Sequence, residues 1–82
     1  MKVFYFAWLK NKTGKSEEFI NNKKIKDVKS LLNDISKKYP NLKNIIDKKD
    51  IIRIAVNLDY TTKNKKLKKN DEIAIFPPVS GG

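Results

Sequence analysis

The sequence predicts an α+β fold, with a mixed sheet of four to five strands and one main helix packed on one face of the sheet. Apolar residues alternate along 71–76, which is the period of a strand with one buried face. The apolar residues of 28–35 recur instead at helical spacing. Residues 51–57 form a nearly continuous apolar run, typical of a strand inside a sheet. Because 82 residues supply one core, we expect one domain over 1–76 and an extended arm over 77–82.

The first strand is predicted at residues 2–9, which are rich in aromatic and β-branched side chains. Successive side chains of a strand point to opposite faces. One face would hold Val3, Tyr5, Ala7 and Leu9, and the other Phe4, Phe6 and Trp8. The remaining chain is too short to cover both faces, so we expect the second set to form a partner surface.

The next elements follow from turn and capping signals. Residues 11–14 predict a turn, and 15–20 would pair back as strand two. Asp27 is a good N-cap for the helix, which must stop by Tyr39 because Pro40 disfavours helical backbone before it. A short second helical turn is predicted around residues 42–46.

Two further segments complete the predicted order. A short edge strand is predicted at residues 58–60. The lysine-rich run 63–69 contains no aromatic side chain on which a base would stack, so we interpret it as a solvated loop.

The formal net charge is +10, from eighteen lysines and one arginine against nine acidic residues. Such a charge is compatible with nucleic acid or another acidic partner. The nine asparagines and ten isoleucines favour a general compositional bias instead, since selection for charge would not enrich them. We therefore expect no nucleic-acid partner.

Cysteine and histidine are absent, which excludes a disulfide framework, a thiolate–zinc site, a catalytic cysteine and an imidazole base. We expect no metal and no cofactor bound by this chain. Any sulfur or acyl chemistry must then use a partner's atom or the chain terminus. The sequence lacks a membrane-length apolar run and a signal-peptide pattern, so the expected location is cytoplasmic, without membrane contact.

The C-terminal residues predict a stiff arm with a bare tip. Pro77 and Pro78 cannot donate to a sheet ladder and favour extended backbone. Gly81 and Gly82 have no side chains, so a carboxylate at this end would fit a slot too narrow for any residue with a Cβ.

Three segments together resemble a known family: residues 2–7, residues 55–57, and residues 70–82 with the run FPPVSGG after an acidic turn. They resemble the small subunit of molybdopterin synthase, the MoaD family of ubiquitin-like sulfur carriers. A terminal Gly-Gly alone is shared with ubiquitin and with the thiamine sulfur carrier, whereas the full run is more specific. The resemblance implies a β-grasp fold in which the last strand lies beside and parallel to the first. Asn70 replaces a glycine common in the family, and asparagine also tolerates that turn.

The resemblance also implies a chemistry. An adenylating enzyme related to those of ubiquitin would use ATP to activate the Gly82 carboxylate, which would become a thiocarboxylate. The arm would then enter the large catalytic subunit and donate sulfur to a cyclic pyranopterin precursor, forming the molybdopterin dithiolene. Two small and two large subunits would assemble as a heterotetramer. The chain would be a sulfur-donating subunit and not an enzyme by itself.

Roles for individual residues follow from the same resemblance. Gly81 would give clearance, while Pro77, Pro78, Val79 and Ser80 would set the reach of the arm. Phe6, Tyr60 and Phe76 fall where the family packs a hydrophobic patch against the large subunit. The alternation of strand one adds Phe4 and Trp8. Two simpler interpretations stay open, in which Phe76 is ordinary core and Tyr60 an exposed loop aromatic.

Two alternative functions remain. One is a sulfur carrier for thiamine or another thiolation pathway, against which the Pro-Pro-Val-Ser spacer argues. The other is a small basic nucleic-acid-binding module, which leaves the Gly-Gly end without a purpose.

Overall fold

The computed structural model describes residues 1–48 and 52–78. Within these ranges the helices and strands follow in the order β1 (Lys2–Tyr5), α1 (Leu9–Thr13), β2 (Glu17–Phe19), α2 (Val28–Lys38), α3 (Pro40–Asp47), β3 (Arg53–Val56), β4 (Asp59–Thr61) and β5 (Glu72–Phe76). None of the described helices has the length and apolar character needed to cross a membrane.

The five strands form one mixed sheet in the order β2-β1-β5-β3-β4. β5 runs parallel to β1, with Lys2 opposite Glu72 and Tyr5 opposite Ile75, and every other pairing is antiparallel. The predicted parallel placement of the last strand beside the first is confirmed. β3 is an internal strand as predicted, although β5 occupies the middle of the sheet. Ile51, the predicted start of β3, lies outside the described residues.

The hydrophobic core lies between one face of the sheet and the helices. Its fully buried members come from the three inner strands and from all three helices: Val3, Tyr5, Leu9, Leu31, Ile35, Leu42, Val56 and Ile73. Burial of each such aliphatic side chain stabilises the fold by about 1.5–3 kcal/mol. The prediction of one main helix packed on one face of the sheet is confirmed.

The main helix α2 begins and ends where its sequence signals predict. The Asp27 carboxylate accepts a hydrogen bond from the Ser30 backbone N–H at 2.8 Å, and the Ser30 hydroxyl accepts one from the Asp27 N–H at 3.1 Å. This reciprocal pair satisfies two N–H groups at the helix start. Tyr39 caps the other end, and Pro40 opens α3. α3 is an eight-residue helix, longer than the single turn predicted.

The first strand is shorter than predicted. β1 ends at Tyr5, Ala7 has φ 55°, and α1 occupies the positions predicted as a strand end and a turn. The reason is the partner strand: the Phe6 N–H donates to Ile75 O at 3.1 Å, but Pro77 has no N–H to extend the ladder further. The predicted alternation beyond Phe6 is therefore wrong. Ala7 is exposed, and α1, not strand alternation, buries Leu9.

The lysine-rich loop 63–69 is anchored through its backbone. Lys65 O accepts from the Val28 N–H at 3.0 Å, and the Leu67 N–H donates to Lys26 O at 2.8 Å. The lysine side chains of the loop are exposed, as predicted, but Leu67 is buried in the core. The interpretation as a fully solvated loop is wrong at Leu67.

The β3–β4 hairpin turns through two residues, Asn57 and Leu58, with φ of 51° and 72°. Two positive φ values are typical of the type I′ turn that matches strand twist. The Asn57 side chain donates to the Asp71 carboxylate at 2.9 Å, which ties this turn to the start of β5. Leu58 is 95% exposed at the tip.

A buried carboxylate joins the sheet to the helices. The Glu18 carboxylate accepts hydrogen bonds from the Tyr5 hydroxyl at 2.5 Å, from the Tyr39 hydroxyl at 2.7 Å and from the Lys38 ammonium. We call these four residues the Glu18 cluster. Burial raises the pKa of Glu18, but hydrogen bonds from Lys38 and the two tyrosines outweigh burial and lower this pKa below its ordinary value.

The Glu18 cluster predicts a loss of stability at alkaline pH. Burial, and next the Glu18 carboxylate, raise the pKa of Tyr39 to about 12 and that of Tyr5 well above its ordinary value of 10.0. The folded protein therefore keeps these protons at a pH where the unfolded chain releases them. By linkage, their stabilisation is complete below about pH 10 and declines as the pH rises towards 12.

We expect the free energy of unfolding, measured by urea denaturation, to fall through this window. The variant Tyr39→Phe should show a shallower fall, because one of the two groups is removed. An equally steep fall in that variant would contradict the assignment to Tyr39.

Candidate docking face and C-terminal arm

The face of the sheet opposite the core is not covered by any described part of the chain. We call it the open face. Strand register assigns its members: Glu17 and Phe19 from β2, Lys2 and Phe4 from β1, Glu72, Ala74 and Phe76 from β5, Arg53 and Ala55 from β3, and Tyr60 from β4. All of these side chains are half-buried or exposed, whereas their neighbours in the strands include the core.

Two aromatic pairs stand on the open face with small residues between them. The rings of Phe4 and Phe6 lie 6.3 Å apart, and those of Tyr60 and Phe76 lie 6.4 Å apart. Across the strands, Phe4 lies opposite Ala74, Ala74 opposite Ala55, and Ala55 opposite Tyr60. Ala55 and Ala74 thus lie between the two aromatic pairs. Exposed apolar surface of this kind is typical of a site that binds another protein.

Four of the five predicted interface residues lie together on this face, and we call Phe4, Phe6, Tyr60 and Phe76 the aromatic patch. Phe6 is 48% and Tyr60 55% exposed, while Phe4 and Phe76 are half-buried. Phe76 is therefore not part of the buried core, and Tyr60 lies in β4 and not in a loop. Their contact with a partner stays a prediction.

Trp8 occupies a different position from the one predicted. It lies beyond the end of β1, at the N-cap of α1, with helical backbone angles. Its side chain is 38% exposed. The predicted alternation placed Trp8 on the same strand face as Phe4 and Phe6. Because β1 ends at Tyr5, that alternation does not reach Trp8.

The predicted arm begins beside the aromatic patch. It follows directly on Phe76, the last residue of β5, with Pro77 half-buried and Pro78 exposed. Val79, Ser80, Gly81 and Gly82 lie outside the described residues. A strand fixed in the middle of the sheet thus sets the position and direction from which the predicted arm starts.

Sequence reasoning missed one aromatic residue of the open face. Phe19 is 77% exposed, and the Lys2 ammonium lies 5.5 Å from the centre of its ring. The same ammonium forms an ion pair with Glu17 at 2.7 Å, and this hydrogen bond raises the pKa of Lys2. The predicted strand over 15–20 places Glu17 and Phe19 on one face and Glu18 on the other. The sequence does not show which of these two faces of the strand is buried.

The open face combines exposed apolar side chains with charged ones. Within residues 1–48 and 52–78 no group of three or more acidic side chains is arranged to hold a metal ion. Its charged groups include the ion pair of Lys2 with Glu17. The exposed apolar groups of this face make it a candidate binding surface.

Comparison with known proteins agrees with this arrangement. Residues 3–82 match the ThiS family. The molybdopterin synthase sulfur carrier subunit of Dictyostelium discoideum is 33% identical over 99% of this chain and 94% of its own. The small archaeal modifier protein 1 of Methanosarcina acetivorans has a similar structure, with a TM-score of 0.81 and 33% identity over 99% of this chain and 94% of its own.

A second similar structure comes from a protein–protein complex. It is a chain of the complex of subunits 1 and 2 of the molybdopterin-converting factor from Helicobacter pylori. That chain has a TM-score of 0.66 and 28% identity over 99% of this chain and 96% of its own. The family match, the curated relatives and the β-grasp sheet agree, and the chain belongs to the ThiS family of ubiquitin-like proteins, among the relatives of the molybdopterin synthase sulfur carrier subunits.

Proposed function

We propose that this chain is the sulfur-carrier small subunit of a molybdopterin synthase. The observation that carries the proposal is the family match over residues 3–82, which takes in both the aromatic patch and the Gly81-Gly82 end. The names of the curated relatives support the choice of pathway. The described fold adds a rigid sheet that aims the arm and an uncovered apolar face beside it.

The proposed chemistry takes place on the Gly82 carboxylate. An adenylating partner enzyme joins it to AMP from ATP and releases pyrophosphate. A sulfur nucleophile then displaces AMP and leaves a thiocarboxylate. Transfer of that sulfur to a cyclic pyranopterin precursor, with water restoring the carboxylate, supplies one dithiolene sulfur, so two charged chains are needed for each product.

The folded body has two tasks in this proposal. It docks the aromatic patch on the large catalytic subunit, and it directs residues 77–82 into the active site of that subunit. The complex of subunits 1 and 2 known for the Helicobacter pylori relative supports a partner of this kind. A heterotetramer and a cytoplasmic location belong to the same proposal. The chain itself supplies no catalytic side chain, and ATP is bound by the adenylating enzyme.

The absence of cysteine from the sequence fits this chemistry. A thiolate near the arm would attack the activated carbonyl of the Gly82 adenylate and divert it to a thioester, with AMP as the leaving group. The thiamine and nucleic-acid alternatives receive no support from the names of the curated relatives.

Intact-mass spectrometry tests the proposal. The full chain is produced with and without a molybdopterin-pathway adenylating enzyme and a sulfur source, and each product is fragmented to localise any change. We expect one oxygen to be replaced by sulfur at Gly82 in the first sample only. The control is the same adenylating enzyme with its own cognate carrier, which should become thiocarboxylated. If that control reacts and the terminus of this chain stays unmodified, the proposal is wrong.

A further inference from the structure

The open face extends past the aromatic patch to the edge strand β2. Phe19 lies opposite Lys2 in the β1–β2 register, so its side chain stands on the same face as Phe4. It is 77% exposed. Exposed apolar side chains indicate a docking surface when they are continuous with one another, whereas a single exposed one does not.

The register of β2 is fixed by the residue next to Phe19. A slip of one position would move every side chain of a strand to the other face. Such a slip would place Phe19 in the core, but it would remove the Glu18 carboxylate from its hydrogen bonds with Tyr5 and Tyr39. The Glu18 cluster therefore holds Phe19 outward, and its exposure is specified by the fold.

A paired ion links Phe19 to the aromatic patch. The Lys2 ammonium lies 5.1 Å from the centre of the Phe4 ring and 5.5 Å from that of Phe19, within the range of cation–π attraction. Glu17 holds this ammonium at 2.7 Å. The positive charge is thus already neutralised on the face, and covering it does not leave an unpaired ion. The surface is therefore continuous from Phe19 through Lys2 to the Phe4–Phe6 pair.

We propose that Phe19, together with the Lys2–Glu17 ion pair, is a second half of the docking face, covered by the same large catalytic subunit that receives the arm. This inference rests on the proposed function. Continuity with the aromatic patch selects this occupant, because a subunit seated on Phe4 and Phe6 lies next to Phe19. The complementary surface is apolar, with an oxygen acceptor within reach of the Lys2 ammonium. An aromatic side chain that becomes fully covered in an interface can contribute about tenfold or more to affinity.

The test is the dissociation constant of the full chain for the large subunit of its molybdopterin synthase, measured by isothermal titration calorimetry. The variant Phe19→Ala should raise the dissociation constant about tenfold or more. Leu58→Ala is the matched control, since Leu58 is an apolar side chain even more exposed than Phe19 but lies in the two-residue β3–β4 turn, three strands away from β2 in the sheet. We expect Leu58→Ala to bind like the wild type, and both variants to keep the wild-type melting temperature.

The outcomes separate the two proposals. If the wild type binds the large subunit and Phe19→Ala has the same dissociation constant as the wild type, this inference is wrong and the proposed function stays intact. No wild-type binding to the large subunit overturns the proposed function as well. If the chain self-associates, and Phe19→Ala abolishes that association without weakening the large subunit's binding, the face belongs to a second copy and this inference is wrong.

Discussion

Deletion of Gly82 is expected to abolish sulfur transfer while leaving the folded domain unchanged. Loss of one residue withdraws the carboxylate by about 3.5 Å along an extended arm. Misplacement of a reacting group by 1 Å already costs roughly 100-fold in rate. Because the described core ends at Ile75, the melting temperature should stay at its wild-type value. Thiocarboxylate formation and molybdopterin synthesis in a reconstituted system are the measurements.

Two matched variants make the deletion informative. Ser80→Ala keeps the length of the arm and should retain activity, since the sequence has no histidine to deprotonate the Ser80 hydroxyl and make it a nucleophile. One alanine added after Gly82 should abolish activity as fully as the deletion does. Normal sulfur transfer by the shortened or the extended chain would remove the terminal carboxylate from the mechanism.

The largest stability effect is expected from Glu18→Ala. The change removes the common acceptor of the Tyr5 and Tyr39 hydroxyls and leaves Tyr5, which is 1% exposed, without that partner. An unsatisfied buried polar group costs about 1–3 kcal/mol. Loss of the Lys38 ion pair adds less, because the Lys38 side chain is half-exposed and regains water. We expect the free energy of unfolding to fall by about 2–4 kcal/mol.

Glu17→Ala is the control for this prediction. Glu17 is the adjacent residue of the same strand, but it is exposed and pairs with Lys2 at the surface. Its removal should cost less than about 1 kcal/mol. Urea denaturation of both variants compares the two losses directly. Equal losses would show that the Glu18 cluster contributes no more than a surface ion pair.

Local signals in the sequence were sufficient for part of the fold. The Asp27 cap, the apolar spacing of α2 and the stop before Pro40 all act within one or two turns of chain. The alternation of β5 likewise depends on its own residues. These elements are therefore found where the pattern predicts them.

The remaining features depend on residues far apart in the chain. β1 stops at Tyr5 because its partner strand reaches a proline more than seventy positions later, which no local pattern of residues 2–9 records. The Glu18 cluster joins Glu18 to Lys38 and Tyr39, twenty and twenty-one positions away. Phe19 points outward because Glu18 is held inward.

The candidate site also contains residues that were predicted from the sequence and residues whose positions depend on distant parts of the chain. Alternation placed Phe4 and Phe6 on the outer face, and the resemblance to the MoaD family added Tyr60 and Phe76, all of which lie together. The position of Trp8 was wrong because β1 ends before it, at Tyr5. Phe19 was missed because its face depends on the register of β2 against β1.

The middle position of β5 has a consequence for the order of biosynthesis and assembly. Until this last strand inserts, β1 and β3 present two unpaired edges, and no sheet connects the Phe4 side to the Tyr60 side. The proposed binding surface therefore forms only when this pairing forms. Under the proposed function, a chain whose β5 has not yet inserted would not be recognised by the partner, so binding would select folded chains without a separate inspection step.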